Sequence, residues 1–473
     1  MDDDQNSRNK NFDSTFDENE LKNSRSIRRA ELRKNKRAEA IYTKRNFQTS
    51  LIQESHLNEE LTTLYLRSTE LEIFIQGAES FAKMLQESYS NTFIDTCIDC
   101  LMSFPQHPDI DSNRGFISTS LIASVSNSPY SSLLAPWIPT LLSLIACSAQ
   151  KVQENLYWIL GNIALDSDKN RECILIEDFF TLSCSIINEP QSQILTKKIC
   201  WCISHCCKGK FFENQLKCVP YLSLALKNNI MDIYPEVLWG LAHISDKRAE
   251  VINDIECLGS ILKLIKIDLV YFQQPALRVI GNILSGNKEQ VELLVSLGVI
   301  KYLSYSLEHK SKVVRHESMW ALSNLCATKY VKDLVSKGII KRIVDLSITD
   351  CPDVQNEAVW GLYNAIIISD VPLIKDLVDL GILSALCYLL NLVSNKEKML
   401  LLRSLDKILK IGEEVPPNPY VEILESNGGK ETIEHLLDNQ NEKINKKSSQ
   451  ILNQYFENVS KDMDLVPTNN FAF

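Results

Sequence analysis

Five of the six tryptophans recur in one local frame roughly every forty residues, and that recurrence constrains the fold more than any other property of the sequence. The copies are Glu154-Asn155-Leu-Tyr-Trp158-Ile-Leu-Gly-Asn162, Ile199-Cys-Trp201-Cys-Ile-Ser-His205, Glu236-Val-Leu-Trp239-Gly-Leu-Ala-His243, Glu317-Ser-Met-Trp320-Ala-Leu-Ser-Asn324 and Glu357-Ala-Val-Trp360-Gly-Leu-Tyr-Asn364. A sixth copy, Pro275-Ala-Leu-Arg278-Val-Ile-Gly-Asn282, carries arginine in place of tryptophan, and successive copies lie 43, 38, 39, 42 and 40 residues apart. From about residue 65 onward apolar residues recur at intervals of three and four, the period of helices, with Ser, Asn, Asp and Gly breaking the pattern every 10–15 residues. Helices that short are marginal alone, so each unit must complete its core by stacking on the next.

A helical repeat of this length is the signature of an armadillo or HEAT solenoid. The expected fold is therefore all-α: a right-handed superhelical armadillo solenoid of about ten repeats over residues 66–457, after a mostly disordered basic arm within residues 1–65 and before a tail at 458–473. Composition agrees with a large soluble body, at 45% hydrophobic and 23% charged. No stretch approaches the ~18 apolar residues of a membrane span, and Met1 opens into three aspartates, so the expected compartment is cytosolic or nuclear. Fourteen cysteines lie largely in apolar stretches and read as reduced core residues.

The tryptophan frame also carries chemistry. Regularly spaced tryptophan is ordinarily a core stripe, but here Asn or His follows at i+4, one turn along the same helix face. An asparagine amide can donate to and accept from one peptide unit of an extended chain, and a row of indoles makes parallel slots for side chains. The competing reading is an asparagine ladder tying one repeat to the next; pairing with a ligand backbone is the favoured one. Lysine and arginine stems pack on indole faces for about 0.5–2 kcal/mol each. Glu154, Asp166, Glu236, Glu317 and Glu357 would meet the cationic heads. The expected ligand is an extended, lysine- and arginine-rich peptide.

Charge is unevenly distributed in a chain of net charge -10. Residues 1–20 hold seven acids and two bases, residues 21–45 hold ten bases and two acids, and the remaining 428 residues carry -13. A cationic arm on an anionic body can bind nucleic acid or an anionic membrane, but aromatic residues are sparse in it and its own body is acidic. A protein partner is the better reading, with neither direct nucleic-acid binding nor membrane insertion expected.

These residues resemble the importin alpha (karyopherin alpha) family. Arg28-Arg29, then Glu31-Leu32-Arg33-Lys34-Asn35-Lys36-Arg37, then Lys44-Arg45-Asn46 look like that family's importin-beta-binding arm, and the Trp frames resemble its repeats three to eight in order. The segment from Gly428-Gly429 to Tyr455-Phe456 is similar to its short last repeat. The resemblance implies a nuclear import adaptor, shuttling between cytoplasm and nucleus, that binds nuclear-localisation signals in two sites. The major site would comprise Trp158, Asn162, Asp166, Trp201, His205, Trp239 and Asn155, and the minor site Arg278, Asn282, Glu317, Trp320, Asn324, Glu357, Trp360 and Asn364. Importin beta would take the arm through Arg28, Arg29, Arg33, Lys34, Lys36, Arg37, Lys44 and Arg45. An export receptor with GTP-bound Ran would recycle the adaptor, and the arm would occupy the groove autoinhibitorily when no partner holds it. No cofactor is implied.

The chain departs from the family at Ser120 and Ser124, which stand where repeat two has tryptophan and asparagine, at His205 and His243, and at Lys288 in place of an acid. The minor site is the better preserved and is expected to carry more of the affinity. The alternative is an armadillo peptide-binding scaffold outside nuclear transport, which needs neither the arm nor the Trp–Asn register. An enzyme is not expected: there is no phosphate-binding loop, no HExxH and no glycine-rich dinucleotide turn. The CxxC at Cys97 and Cys100 and the group Cys200, Cys202, Cys206 and Cys207 near His205 read as packed thiols rather than metal ligands.

Overall fold

The structure, a computed structural model, describes residues 58–103, 113–188, 192–227 and 230–456. The basic arm and the tail beyond residue 456 lie outside the described residues, and with them all eight arm residues named above. Among the described residues every regular element is helical. The described residues divide into two compact units, one running from residue 58 to 101 with 127–130, the other comprising the described residues of 102–126 and 131–456.

In the first unit, helix Glu59–Leu66 is capped by Asn58, whose side chain accepts from the Leu61 amide at 2.9 Å. It packs on helix Leu71–Met84 around fully buried Leu66, Phe74 and Phe81.

The second unit is a stack of repeats, each contributing one long inner helix. The inner helices are α1 (Asn113–Ser126), α2 (Gln150–Asp166), α3 (Gln193–Cys206), α4 (Tyr234–Arg248), α5 (Val270–Leu284), α6 (Lys312–Leu325), α7 (Pro352–Ile368), α8 (Asn395–Gly412) and α9 (Glu442–Tyr455). Each packs on the next. Short helices fill the outer layer between them, such as Lys288–Ser296 and Val299–Leu307 ahead of α6. Their starts are set by local capping: Ser167, Asp254, Asn287 and Asp370 accept amide hydrogens of the first turn, and Asn287 with Gln290 makes a complete capping box. In the C-terminal half the corner between the two outer helices is made by glycine with positive φ, at Gly298, Gly338, Gly381 and Gly428. A side chain there would be strained by the left-handed backbone whatever the surrounding space. The core is a continuous strip: α6 buries Val314, Met319, Leu322 and Leu325, and α7 buries Val354, Val359, Leu362 and Ile366.

Candidate functional site: the tryptophan face of the inner helices

The Trp, Asn and acidic residues predicted from sequence lie on consecutive inner helices: Asn155, Trp158, Asn162 and Asp166 on α2, Trp201 and His205 on α3, Trp239 on α4, Arg278 and Asn282 on α5, Glu317, Trp320 and Asn324 on α6, and Glu357, Trp360 and Asn364 on α7.

The asparagines behave differently from the favoured expectation. Their Nδ2 groups donate backwards along the stack: Asn162 to Ser126 Oγ at 2.9 Å, Asn282 to Ser245 Oγ at 2.9 Å and Ala242 O at 3.2 Å, Asn324 to Gly281 O at 2.9 Å and Asn364 to Ser323 O at 2.8 Å. The ladder between repeats thus exists on the donor side. Neighbouring inner helices lie close enough for the amide one turn beyond the tryptophan to reach the preceding helix. The Oδ1 atoms of these four accept no hydrogen bond among the described residues, which leaves one acceptor per amide. Asn155 likewise donates to Ser120 Oγ at 3.1 Å and Thr119 Oγ1 at 3.2 Å, so Ser120 in the place of an indole serves as an acceptor.

The indoles are also more enclosed than open slots would be. Trp201, Trp320 and Trp360 are 9%, 3% and 9% exposed, while Trp158 and Trp239 are half-buried. Two glycines that sequence reasoning passed over explain part of this. A Cβ at Gly161 would lie 2.1 Å from Cζ3 of Trp201, and one at Gly281 would lie 2.2 Å from Cζ3 of Trp320. Each indole is seated on a glycine of the preceding inner helix, three residues after the groove position of that repeat. The signal was present as the Gly-Asn pair in two frames. Gly161→Ala is expected to lower stability by about 1–3 kcal/mol, since the Trp201 ring must leave its seat. An unchanged urea midpoint would show that the ring is not held there.

The two ends of the groove differ. At the Trp158 end, Trp158 and Trp201 are stacked with centroids 4.4 Å apart and planes 13° apart, and His205 lies 4.2 Å from Trp201 on its far side of the sequence frame. His205 Nδ1 is 2.8 Å from Trp201 O, a bond within its own helix. Asp166 accepts from Ser131 Oγ at 2.7 Å; partial burial pushes its carboxyl above the usual range, opposed by that hydroxyl. His243 stands 6.1 Å from Trp239.

At the Trp360 end, charge is concentrated and buried. The Arg278 guanidinium pairs with Glu317, and it lies 5.1 Å from the centroid of Trp320. Burial pulls Arg278 down, but Glu317, with Asp246 and Glu357 behind it, holds it above its ordinary value. Glu317 is 2% exposed, and its Oε2, like that of Glu357, is buried with no hydrogen-bond partner among the described residues. His316 approaches Glu357 only to 3.9 Å. Lys396 Nζ lies 5.4 Å from the Trp360 ring. Among the described residues no group of His, Cys, Asp and Glu is placed to hold a metal, and no helix is long and apolar enough to cross a membrane.

The sequence pattern of the importin beta binding domain matches residues 8–97, that of the armadillo/beta-catenin-like repeat matches residues 287–327, and that of an atypical Arm repeat matches residues 418–469. Importin subunit alpha-1b of Oryza sativa subsp. japonica is 25% identical over 431 residues, covering 86% of this chain and 80% of its own. Importin subunit alpha-8 of Arabidopsis thaliana is 26% identical over 333 residues, covering 67% of this chain and 74% of its own. In fold, the chain is similar to the crystal structure of an engineered protein, at a TM-score of 0.72 and 20% identity over 84% of this chain and 98% of that one. The repeat stack is an all-helical armadillo array. With a segment matching the importin beta binding domain ahead of such an array, and relatives named importin subunit alpha at about 25% identity along most of its length, this chain is an importin alpha-like protein.

Proposed function

We propose that the chain is an import adaptor whose groove binds extended lysine- and arginine-rich nuclear-localisation signals, with the Arg278–Trp360 end carrying most of the affinity. One observation supports this above the others: two buried carboxylate oxygens, Glu317 Oε2 and Glu357 Oε2, have no partner among the described residues. A buried, unpaired carboxylate oxygen is costly, and a guanidinium or ammonium from a ligand relieves that cost. Trp320, Trp360 and the asparagines Asn282, Asn324 and Asn364, whose Oδ1 atoms accept no hydrogen bond among the described residues, lie on the same three consecutive inner helices, α5 to α7. At the other end Asp166, on the same helix as Trp158, offers an exposed carboxylate that already accepts from Ser131.

In this reading importin beta takes the basic arm through Arg28, Arg29, Arg33, Lys34, Lys36, Arg37, Lys44 and Arg45. The export receptor with GTP-bound Ran returns the empty adaptor, and the chain shuttles between cytoplasm and nucleus. The test is titration of the full chain with a fluorescent lysine- and arginine-rich localisation peptide. Trp360→Ala is expected to weaken binding by about tenfold or more, because it removes an indole face and exposes the neighbouring carboxylates to water. Trp158→Ala is expected to change it less than about threefold. Strong loss only in Trp158→Ala would reverse the ranking of the two ends, and no binding by any form would favour an armadillo scaffold outside nuclear transport.

A further inference from the structure

Lys198 stands three residues before Trp201 on α3. The equivalent position in the other frames is Asn155, Glu236, Pro275, Glu317 and Glu357, so this repeat alone inverts an otherwise neutral or acidic position to a cation. The side chain crosses to the preceding repeat, where its Nζ lies 3.3 Å from the centroid of the Trp158 ring. Trp201 also lies against Trp158, nearly parallel at 4.4 Å. Two groups at contact distance over one ring cannot share a face. Trp158 is therefore held between them, with the indole of α3 on one side and the ammonium of α3 on the other. Trp201 in turn meets His205 at 4.2 Å. Both faces of Trp158 at this end of the groove are thus already used, and His205 packs at a tilt against Trp201.

We propose that Lys198 is a specificity-determining residue of the groove: it fills, from within the chain, the place over Trp158 that a ligand's cation would take. This inference rests on the peptide-groove reading above. A ligand lysine arriving at Trp158 must displace the resident ammonium from the ring, and it then sits beside a like charge. The Trp158 end consequently selects against lysine at that point of the ligand, while the unpartnered Glu317 and Glu357 oxygens attract cations at the other end. Favoured ligands have one basic cluster placed for the Glu317 and Glu357 end and a neutral or acidic residue where the chain passes Lys198.

The experiment is an anisotropy titration of the full chain with a fluorescein-labelled peptide containing one cluster of five lysines, using wild type, Lys198→Asn, Lys198→Glu and the double variant Lys198→Asn/Trp158→Ala. Lys198→Asn is expected to tighten binding about fivefold and Lys198→Glu about tenfold or more, since the face is freed and, in the second, an acid restored. Trp158→Ala in the Lys198→Asn background should cancel the gain. An unchanged or weaker affinity in both single variants, with wild type still binding, overturns the role of Lys198 and leaves the groove reading intact. A gain that survives loss of Trp158 also overturns it, because Lys198 would then act as a general surface charge. Absence of binding in every form overturns the groove reading and this inference with it.

Discussion

Replacing Glu317 with alanine is expected to lower the stability of the chain by about 3–5 kcal/mol, a larger loss than an exposed glutamate could produce. Arg278 is only 13% exposed at its side chain, its Nε has no partner among the described residues, and Glu317 supplies the one opposite charge in direct contact. Removing that carboxylate leaves a guanidinium in a site with little water, between α5 and α6 where two repeats meet. Glu317→Gln keeps an acceptor and should cost less. Arg278→Met/Glu317→Ala should recover much of the loss, because the pair's net worth is far smaller than the penalty for stranding one member. Urea unfolding of the four forms checks this, and a Glu317→Ala midpoint equal to wild type would show that the pair is solvated. In the free chain Arg278 occupies the Trp320 face from inside, as Lys198 occupies Trp158. The difference between the ends is the surplus of acid: around Arg278 stand Glu317, Glu357 and Asp246, so a ligand cation finds unsatisfied carboxylate after the internal pair has formed.

How far the sequence could lead follows from which interactions are local. The inner helices and their faces were legible because the period of the apolar residues and the Trp-to-Asn spacing are properties of one helix. The corners at Gly298, Gly338, Gly381 and Gly428 were equally legible in principle, since glycine recurs there about one repeat apart, although attention to tryptophan hides them. The destination of each asparagine amide was not legible, because it depends on how closely one repeat sits on the last. For the same reason Gly161 and Gly281 look like ordinary helix glycines until the ring of the following repeat is seen on them. Lys198 is the sharpest case. In sequence it is one of two adjacent lysines on a helix, a pattern that usually means a solvated face. Only the position of Trp158 on the neighbouring helix turns it into a groove residue.

Removing residues 1–57 is expected to tighten binding of a basic peptide by up to about a hundredfold. The cut leaves Asn58 to cap helix Glu59–Leu66, whose Leu66 is fully buried, so the repeat body is not opened at its start. A tethered arm at an effective concentration of about 1 mM, with an intrinsic affinity of about 10 μM, occupies the groove in roughly 99 of 100 molecules. The charges favour this contact: residues 21–45 carry ten bases against two acids, and the residues beyond them carry -13. The asymmetry of the groove predicts which part of the arm matters. With the Trp158 faces taken by Lys198 and Trp201, Lys44 and Arg45 are expected to gain little there, whereas the unpartnered oxygens of Glu317 and Glu357 are expected to attract Arg28 and Arg29. Arg28→Ala/Arg29→Ala should therefore reproduce most of the truncation's gain and Lys44→Ala/Arg45→Ala little of it, with each measured by the same peptide titration. Added importin beta should act as the truncation does, by withdrawing the arm. If truncation leaves the affinity unchanged, the arm does not occupy the groove; if Lys44 and Arg45 prove dominant, it enters from the Trp158 end despite the closed stack.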